Sequence, residues 1–173
     1  MGITTRRGDK LTTDLYQGGK IPKSDLRCQA CGSGDEVISF LGFSLSLIND
    51  RKLKSIITAL QKDIFAANAE IMSSSSGLKR LKVRVNSRSV KRIERYIRDF
   101  EGKIKNKHNC FFLPGDNTAS ASFNICRAVA RRAELEVVRL AESGLIENRY
   151  LVIYYNRLSD LLYLISLKLK EKA

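Results

Sequence analysis

Apolar residues recur along most of this chain at intervals of three and four, the spacing of one helix face. A first helix is predicted over about 25–48, beginning at Ser24 or Asp25 and ended by an Asn-Asp pair. A second helix is predicted over about 51–72. Its apolar face would be formed by Leu53, Ile56, Ile57, Leu60, Ile64 and Ala67.

Three further helices are predicted in the second half of the chain. The first of them follows a cap at Asn86 or Ser87. Its apolar face would carry Val90, Ile93, Ile97, Phe100 and Ile104. The next helix begins at Asn117 or Thr118 and runs to about Ser143, and the last covers about 147–170. Each repeats the same three- and four-residue spacing of apolar positions.

Polar and helix-breaking segments separate the predicted helices. Residues 73–77 (SSSSG) indicate a flexible loop, and residues 81–85 (LKVRV) alternate briefly and could be extended. The Pro-Gly pair at 114–115 excludes a helix that continues through it. Five helices, short connections and no internal repeat predict one all-α helical bundle, a single domain over residues 1–173.

Charge adds one ambiguous feature to this bundle. The chain has a net charge of +13 and a pI of about 9.8, which favours anionic partners without identifying them. Residues 79–107 hold twelve Lys or Arg against three acids. This basic stretch fits either a solvated helix face or a nucleic-acid groove. Only Tyr96 and Phe100 offer rings for base stacking there, so we expect the solvated face.

Nothing in the sequence indicates a membrane protein. No run of 18 apolar residues exists, and the N-terminus has no hydrophobic signal region. A cytoplasmic protein is therefore expected.

The four cysteines do not form a recognisable metal site. Cys28 and Cys31 make one CxxC, but a zinc site would need a second CxxC or a His pair, and the sequence has neither. The other two cysteines are Cys110 and Cys126, and the only histidine is His108. Residues three apart share a helix face. The CxxC cysteines are therefore predicted to fill core positions as reduced thiols.

Two helices break the pattern of a plain bundle. In SFNICRAVARRAELEVVRL, Arg127 and Arg131 lie four apart on one face, an arrangement that suits either phosphate oxygens or a solvated, internally paired surface. In the last helix, Asn156 and Asp160 also share a face. They could pair with each other, bind a sugar hydroxyl or pair with a basic helix.

The N-terminal TTRRGDKLTTDL is the third candidate. It contains no GxxxxGK[ST], so it is not a Walker P-loop. A glycine turn with hydroxyls and backbone N–H groups can still wrap phosphates, although a basic tail is a common alternative.

Five blocks of the chain occur in the order and spacing of a known family. They are TRRGDKLTTDL, IPKSDLRCQACGSGDE, FFLPG, CRAVARRAE and NRLSDLLY. From about Thr4 to Tyr163 the chain resembles the PduO-type corrinoid adenosyltransferases, which are ATP:cob(I)alamin adenosyltransferases. The resemblance implies a ferritin-like, up-down five-helix bundle that forms homotrimers with active sites at subunit interfaces. It also implies transfer of the 5′-deoxyadenosyl group of ATP to the cobalt of reduced cobalamin, with release of triphosphate.

The resemblance also implies which residues hold ATP. Residues 1–23 would form an ATP-binding loop that becomes ordered around the triphosphate, and residues 24–170 would form the bundle. The matching positions in the loop are Thr5, Arg6, Arg7, Gly8, Thr13 and Lys23. A neighbouring subunit would contribute Arg131, Arg132, Glu134 and Asn156.

Further roles follow from the same resemblance. Arg127 and Asp35 match a pair that bridges subunits and would hold the catalytic Arg131 in register. Phe111 matches an aromatic residue that lines the corrin pocket and excludes the lower axial ligand of cobalt. The adjacent Phe112 is assigned to the same pocket.

The implied chemistry needs no side-chain nucleophile because the cobalt attacks the 5′ carbon. Arginines, a lysine and Mg²⁺ carried by the ATP phosphates would stabilise the leaving triphosphate, without a protein-only metal site. A dry aromatic wall that leaves cobalt four-coordinate would ease its reduction. An external reductase is implied, and adenosylcobalamin-dependent enzymes are candidate recipients. The alternatives are a nucleic-acid-binding helical module and an inactive relative that binds ATP or adenosylcobalamin.

Five positions depart from the family pattern. Leu11 replaces a glycine of the phosphate loop, and Gly34 replaces the valine before Asp35. The remaining departures are Asp116, Asn124 and Leu135. They bear on loop conformation and on the finer phosphate contacts.

Overall fold

Helices make up most of the protein. The computed structural model describes residue 4 and residues 7–104 and 113–171. In these ranges the helices are α1 (Leu26–Ser46), α2 (Arg51–Ile71), α3 (Ser75–Arg80), α4 (Ser87–Glu101), α5 (Thr118–Glu142) and α6 (Arg149–Lys170). The five long ones coincide with the predicted helices. No helix in the described part of the chain is long and apolar enough to cross a membrane.

The segment before α1 is folded, which corrects the all-α prediction. A 3-10 helix (Arg7–Lys10) leads into two short strands, β1 (Thr12–Asp14) and β2 (Lys20–Pro22). The strands pair antiparallel with Thr13 opposite Ile21. The protein is therefore mostly helical with one small antiparallel sheet.

Asparagine and aspartate side chains begin the long helices. Asp25, Asn86 and Asn117 accept backbone N–H groups at 2.9, 2.9 and 2.8 Å, which decides between the alternative caps suggested by the sequence. Asp50 and Asn148 do the same for α2 and α6. Each cap contributes about 1 kcal/mol by satisfying a helix N–H that has no partner within the helix.

The serine run is not the flexible loop that its composition indicates. Ser74 accepts the N–H of Gly77 at 3.1 Å and so caps α3. Ser73 is buried and donates its hydroxyl to Ala69 O at 2.6 Å. Serine side chains favour caps and turns by bonding nearby backbone groups, and here those bonds define a short helix instead of a mobile segment.

The long helices surround one core. α1 packs against α2 and α5, α5 packs against α6, and α6 packs against α4. The largest fully buried side chains include Tyr154, Tyr155 and Phe123. The two tyrosine rings meet edge to face with centroids 6.4 Å apart, a favoured aromatic geometry.

An ion-pair cluster around Asp63 joins α2 to α4 and α6. Arg92 Nη2 donates to Asp63 Oδ1 at 2.5 Å and to Oδ2 at 2.6 Å. The buried Tyr154 hydroxyl donates to Asp63 Oδ2 at 2.9 Å. Both carboxylate oxygens are therefore satisfied within the chain, which makes this half-buried charge tolerable.

A second cluster forms around Glu70 at the end of α2. Glu70 is only 4% exposed and accepts hydrogen bonds from Arg84 and from Asn148 Nδ2, the latter at 2.9 Å. Asn148 Nδ2 also donates to Val85 O at 2.8 Å. The cluster fixes the segment before α4 and the start of α6 to α2.

The CxxC cysteines are half-buried rather than part of the core, which corrects that prediction. Cys28, Cys31 and the buried Cys126 are free thiols, and Cys110 lies outside the described residues. Burial raises the pKa of Cys31 and of Cys126 to about 11. These thiols stay neutral near pH 7 and are poor nucleophiles.

Candidate functional site

Three of the predicted phosphate-binding residues lie together at the N-terminal hairpin. A Cβ atom added to Gly8 would lie 2.7 Å from Lys23 Nζ, so the ammonium group rests against the 3-10 turn. Thr13 lies on β1, half-buried, in the same small unit. Lys23 follows β2, and its backbone N–H donates to Leu11 O at 2.9 Å. A positive charge and a close backbone approach therefore meet here, on the same hairpin as the Thr13 hydroxyl.

Other predicted members of this loop cannot be placed as fully. Thr5 and Arg6 lie outside the described residues, and Arg7 begins the 3-10 helix. Leu11 has a φ of +58° and is 77% exposed. This left-handed conformation favours glycine, so the family's usual residue would adopt it without the strain that leucine carries.

The turn of the hairpin is held by α2 and α3. Tyr16 N donates to Met72 O at 2.8 Å, and Ser74 N donates to Tyr16 O at 3.1 Å. The Ser76 hydroxyl donates to Gln17 O at 2.9 Å. The serine run thus anchors the hairpin, a role that its composition alone did not reveal.

Arg127 and Arg131 occupy the surface that α5 shares with α6. The Arg127 guanidinium carbon lies 5.2 Å from the ring centroid of Tyr163, within cation–π range. Arg131 is exposed and makes no hydrogen bond or ion pair to another described residue. Burial raises the pKa of Asp160, and positive charge from Arg157, Arg131 and Arg127 opposes this rise. The guanidinium groups are therefore available to an external anion.

Asn156 and Glu134 are brought together on the same surface. Asn156 Nδ2 donates to Glu134 Oε1 at 2.8 Å, and Asn156 Oδ1 accepts from Arg157 Nη1 at 2.5 Å. The alternative pairing of Asn156 with Asp160 is not what the structure shows. Arg132 instead points to α1 and pairs with Glu36 there.

Asp35 forms an ion pair with none of these arginines among the described residues. It is exposed on α1, and its Oδ1 accepts a hydrogen bond of 2.8 Å from Asn68 Nδ2 of α2. Arg127 is next to α6. The two residues of the predicted bridging pair therefore do not meet within one chain.

Two clefts open beside α6. One of about 550 Å³ lies between α4 and α6 and is lined partly by Arg157, Asp160 and Tyr163. A smaller, mostly apolar cleft of about 150 Å³ lies where Leu53, Phe100 and Ile165 converge. Phe111 and Phe112, assigned to the corrin pocket, fall outside the described residues.

A protein-held metal is not indicated by the donor set. Across residues 7–104 and 113–171, no group of three or more His, Cys, Asp and Glu side chains could hold a metal ion. Cation binding through a phosphate ligand would not need such a group.

Known proteins resemble this chain over nearly its whole length. The model of the cobalamin adenosyltransferase family matches residues 3–169. A corrinoid adenosyltransferase from Citrobacter freundii is 35% identical over 164 residues, covering 93% of this chain and 90% of that protein. The corrinoid adenosyltransferase PduO of Salmonella typhimurium is 32% identical, over 94% of this chain and 48% of its own length.

Solved structures give the same result at the level of the fold. A variant of a PduO-type ATP:corrinoid adenosyltransferase from Lactobacillus reuteri, complexed with cobalamin and ATP, superposes with a TM-score of 0.87. The match has 25% sequence identity and covers 98% of this chain and 94% of the other. Since the family model and relatives above 30% identity span nearly the whole sequence, the chain belongs to the cobalamin adenosyltransferase family.

Proposed function

We propose that this chain transfers the 5′-deoxyadenosyl group of ATP to the cobalt of reduced cobalamin, at a site completed between subunits of a homotrimer. ATP and the reduced corrinoid are the substrates, and triphosphate and adenosylcobalamin are the products. Family membership favours this transferase over a nucleic-acid-binding module. The observation that carries the residue assignment is the Arg127–Arg131 face, on which Arg131 has no partner among the described residues.

The main chemical requirement of this reaction is to stabilise the leaving group. As the cobalt substrate attacks the 5′ carbon, negative charge builds on the departing triphosphate. Arg131 can offer a planar fork of N–H donors to that charge, and Lys23 can offer a compact ammonium group against the Gly8 turn. Mg²⁺ bound to the phosphates would neutralise part of the same charge. The chain itself would bind, orient and stabilise, with no covalent intermediate.

Assembly is proposed to unite the two halves of the site. No ion pair joins Asp35 to Arg127 among the described residues, so their pairing would use a second subunit. A contact between two different surfaces is heterologous, and such contacts close into rings such as trimers. Large apolar side chains exposed on the helices are consistent with buried interfaces. They include Phe43 (51% exposed), Phe65 (71%) and Leu135 (60%).

The corrin side of the site is proposed from the family pattern alone. Phe111 and Phe112 would supply an apolar wall against the corrin ring and keep a lower ligand off the cobalt. An external reductase would supply Co(I). Adenosylcobalamin-dependent enzymes would receive the product.

The test is an anaerobic assay of the purified protein. Chemically reduced cobalamin, ATP and Mg²⁺ are mixed with the protein, and the spectrum is followed for a light-sensitive Co–C product. The matched control for Arg131→Ala is Arg139→Ala, which removes another exposed α5 arginine, whose ion pair among the described residues is with Glu136 of its own helix. Product formation should require ATP and protein, fail with Arg131→Ala and persist with Arg139→Ala.

The other outcomes separate the alternatives. Equal activity of both arginine variants would refute the phosphate role of Arg131. ATP binding without product would identify an inactive relative. Neither ATP binding nor product would refute the proposal and direct attention to the basic stretch, whose binding to nucleic acid would weaken steeply with salt.

A further inference from the structure

An amide from α2 occupies the space beside a glycine of α1. A Cβ atom added to Gly34 would overlap Asn68 Oδ1 and lie 2.9 Å from both Cγ and Nδ2 of the same side chain. Gly34 is buried, and Asn68 is only 6% exposed. Asn68 can therefore take its position only because residue 34 has no side chain.

The Asn68 amide directs its donor at Asp35. Its Nδ2 donates to Asp35 Oδ1 at 2.8 Å and to the backbone carbonyl oxygen of Cys31 at 3.2 Å. The reversed amide would turn an acceptor toward the carboxylate, so the charge of Asp35 selects the observed orientation. A hydrogen bond to a charged acceptor is among the stronger ones in proteins.

The arrangement has a cost that packing alone does not explain. Asn68 Oδ1 is buried and has no hydrogen-bond partner among the described residues. A buried polar atom left unpaired is unfavourable, and an apolar side chain at this position would avoid it. What the amide provides instead is a fixed orientation of Asp35, with Oδ2 free of any hydrogen bond to the described residues.

We infer that Asn68 is a positioning residue that fixes the Asp35 carboxylate, and that Gly34 is the residue that admits it. The inference rests on the proposed function in one respect, since the unused Asp35 oxygen is the one offered to Arg127 of a neighbouring subunit. It also accounts for the departure at position 34, where the family usually has valine. A valine there would displace the Asn68 amide.

The chain offers a matched control for each substitution. Gln61 of α2 also donates its side-chain amide to α1, at 3.1 Å to Ile38 O, but it does not contact Asp35. Gly42 of α1 also faces α2, yet an added Cβ would lie at an ordinary 3.5 Å from Gln61 Nε2. Gln61→Ala and Gly42→Ala therefore perturb the same helix pair without touching the proposed contact.

The experiment is a mutant cycle read as kcat for adenosyl transfer. Asn68→Ala should lower kcat about tenfold, the scale of one charge-assisted hydrogen bond. Gly34→Ala should do the same by displacing the amide, and the Gly34→Ala/Asn68→Ala double variant should be no worse than Asn68→Ala. In an Asp35→Asn background the Asn68→Ala effect should disappear. Gln61→Ala and Gly42→Ala should keep kcat near the parent value.

A crystal structure of Asn68→Ala gives a readout that does not need activity. The Asp35 side chain should leave its present rotamer or occupy more than one. An unchanged Asp35 rotamer would overturn the inference, as would a loss of kcat that persists in the Asp35→Asn background. If the parent protein makes no adenosylated product, the proposed function fails, and the Asp35 rotamer alone then decides the positioning role.

Discussion

Arg92 and Arg131 look alike in the sequence and differ in the structure. Arg92 belongs to the most basic stretch of the chain, yet its guanidinium group is bound to Asp63, which also accepts the Tyr154 hydroxyl. Arg131 belongs to a less basic helix, and no described carboxylate pairs with it. Local charge density therefore says little about function here. The presence or absence of a partner within the chain distinguishes a structural arginine from one available to a ligand.

The same distinction divides the basic stretch itself. Arg84 pairs with the buried Glu70 and Arg80 donates to Gln17, so these cations serve the fold. The exposed cations of α4 recur at intervals of three and four and line one outer face. They are Arg88, Lys91, Arg95 and Arg98. All four side chains are exposed, and the solvated helix face expected from the sequence stays a prediction.

The largest effect should come from removing the unpartnered arginine. Arg131→Ala should lower kcat about 100- to 1,000-fold, because a preorganised donor to the leaving group is lost. Its melting temperature should stay near that of the parent, since the Arg131 guanidinium makes no hydrogen bond or ion pair to a described residue. Calorimetry with the transfer assay checks both. A melting temperature lowered in step with activity would show that Arg131 is structural after all.

The reverse pattern is expected for Arg92→Ala. Its loss leaves the nearly buried Asp63 carboxylate with only the Tyr154 hydroxyl. Breaking a fully buried ion pair would lower the free energy of unfolding by more than this. Because the Arg92 side chain is 34% exposed, a destabilisation of about 2 kcal/mol is expected. Urea unfolding measures it. The folded fraction should keep the parent kcat, and a specific loss of kcat would place Arg92 in the site.

Sequence predicted the bundle well because its signals are local. Apolar periodicity and side-chain caps act within one helix, so the sequence alone locates α1, α2 and α4 to α6. It does not locate the hairpin and α3, because three-residue strands carry little periodicity and their stability comes from each other. Tyr16 and Ser74, which join them, are 58 positions apart.

The site shows the same limit. Arg127, Arg131 and Asn156 stand out because they interrupt apolar helices. Asn68 does not, since its partner Asp35 lies 33 positions away on another helix. Only the antiparallel packing of α1 and α2 brings the two together.

A smaller effect is expected at the hairpin anchor. A Cβ atom on Gly77 would overlap Tyr16 O, so Gly77→Ala should loosen the hairpin that carries Thr13 and Lys23. The KM for ATP should rise about fivefold with little change in kcat, because binding is weakened and the chemistry is not. Gly32→Ala is the control, since a Cβ there meets nothing within 4 Å. An unchanged KM would show that the anchor does not support ATP binding.

A modest gain is expected from restoring glycine at position 11. Leu11→Gly relieves the cost of a leucine at φ +58°, and the greater freedom of glycine in the unfolded chain cancels part of the benefit. The net local stabilisation should be about 0.5 kcal/mol. Hydrogen exchange of the Lys23 amide, which donates to Leu11 O, should slow accordingly. Faster exchange would mean that the exposed leucine side chain stabilises the turn.

The smallest effect should come from the outer face of α4. Lys91→Gln combined with Arg95→Gln removes two exposed cations, neither of which pairs with a described carboxylate. Their charge is solvated and screened, so the transfer rate and the melting temperature should both stay near the parent values. The transfer rate of the double variant should equal that of the parent at every salt concentration from low to physiological. A loss of activity confined to low salt would show that this face attracts the anionic substrate, and unpartnered charge would then matter on α4 as it does on α5.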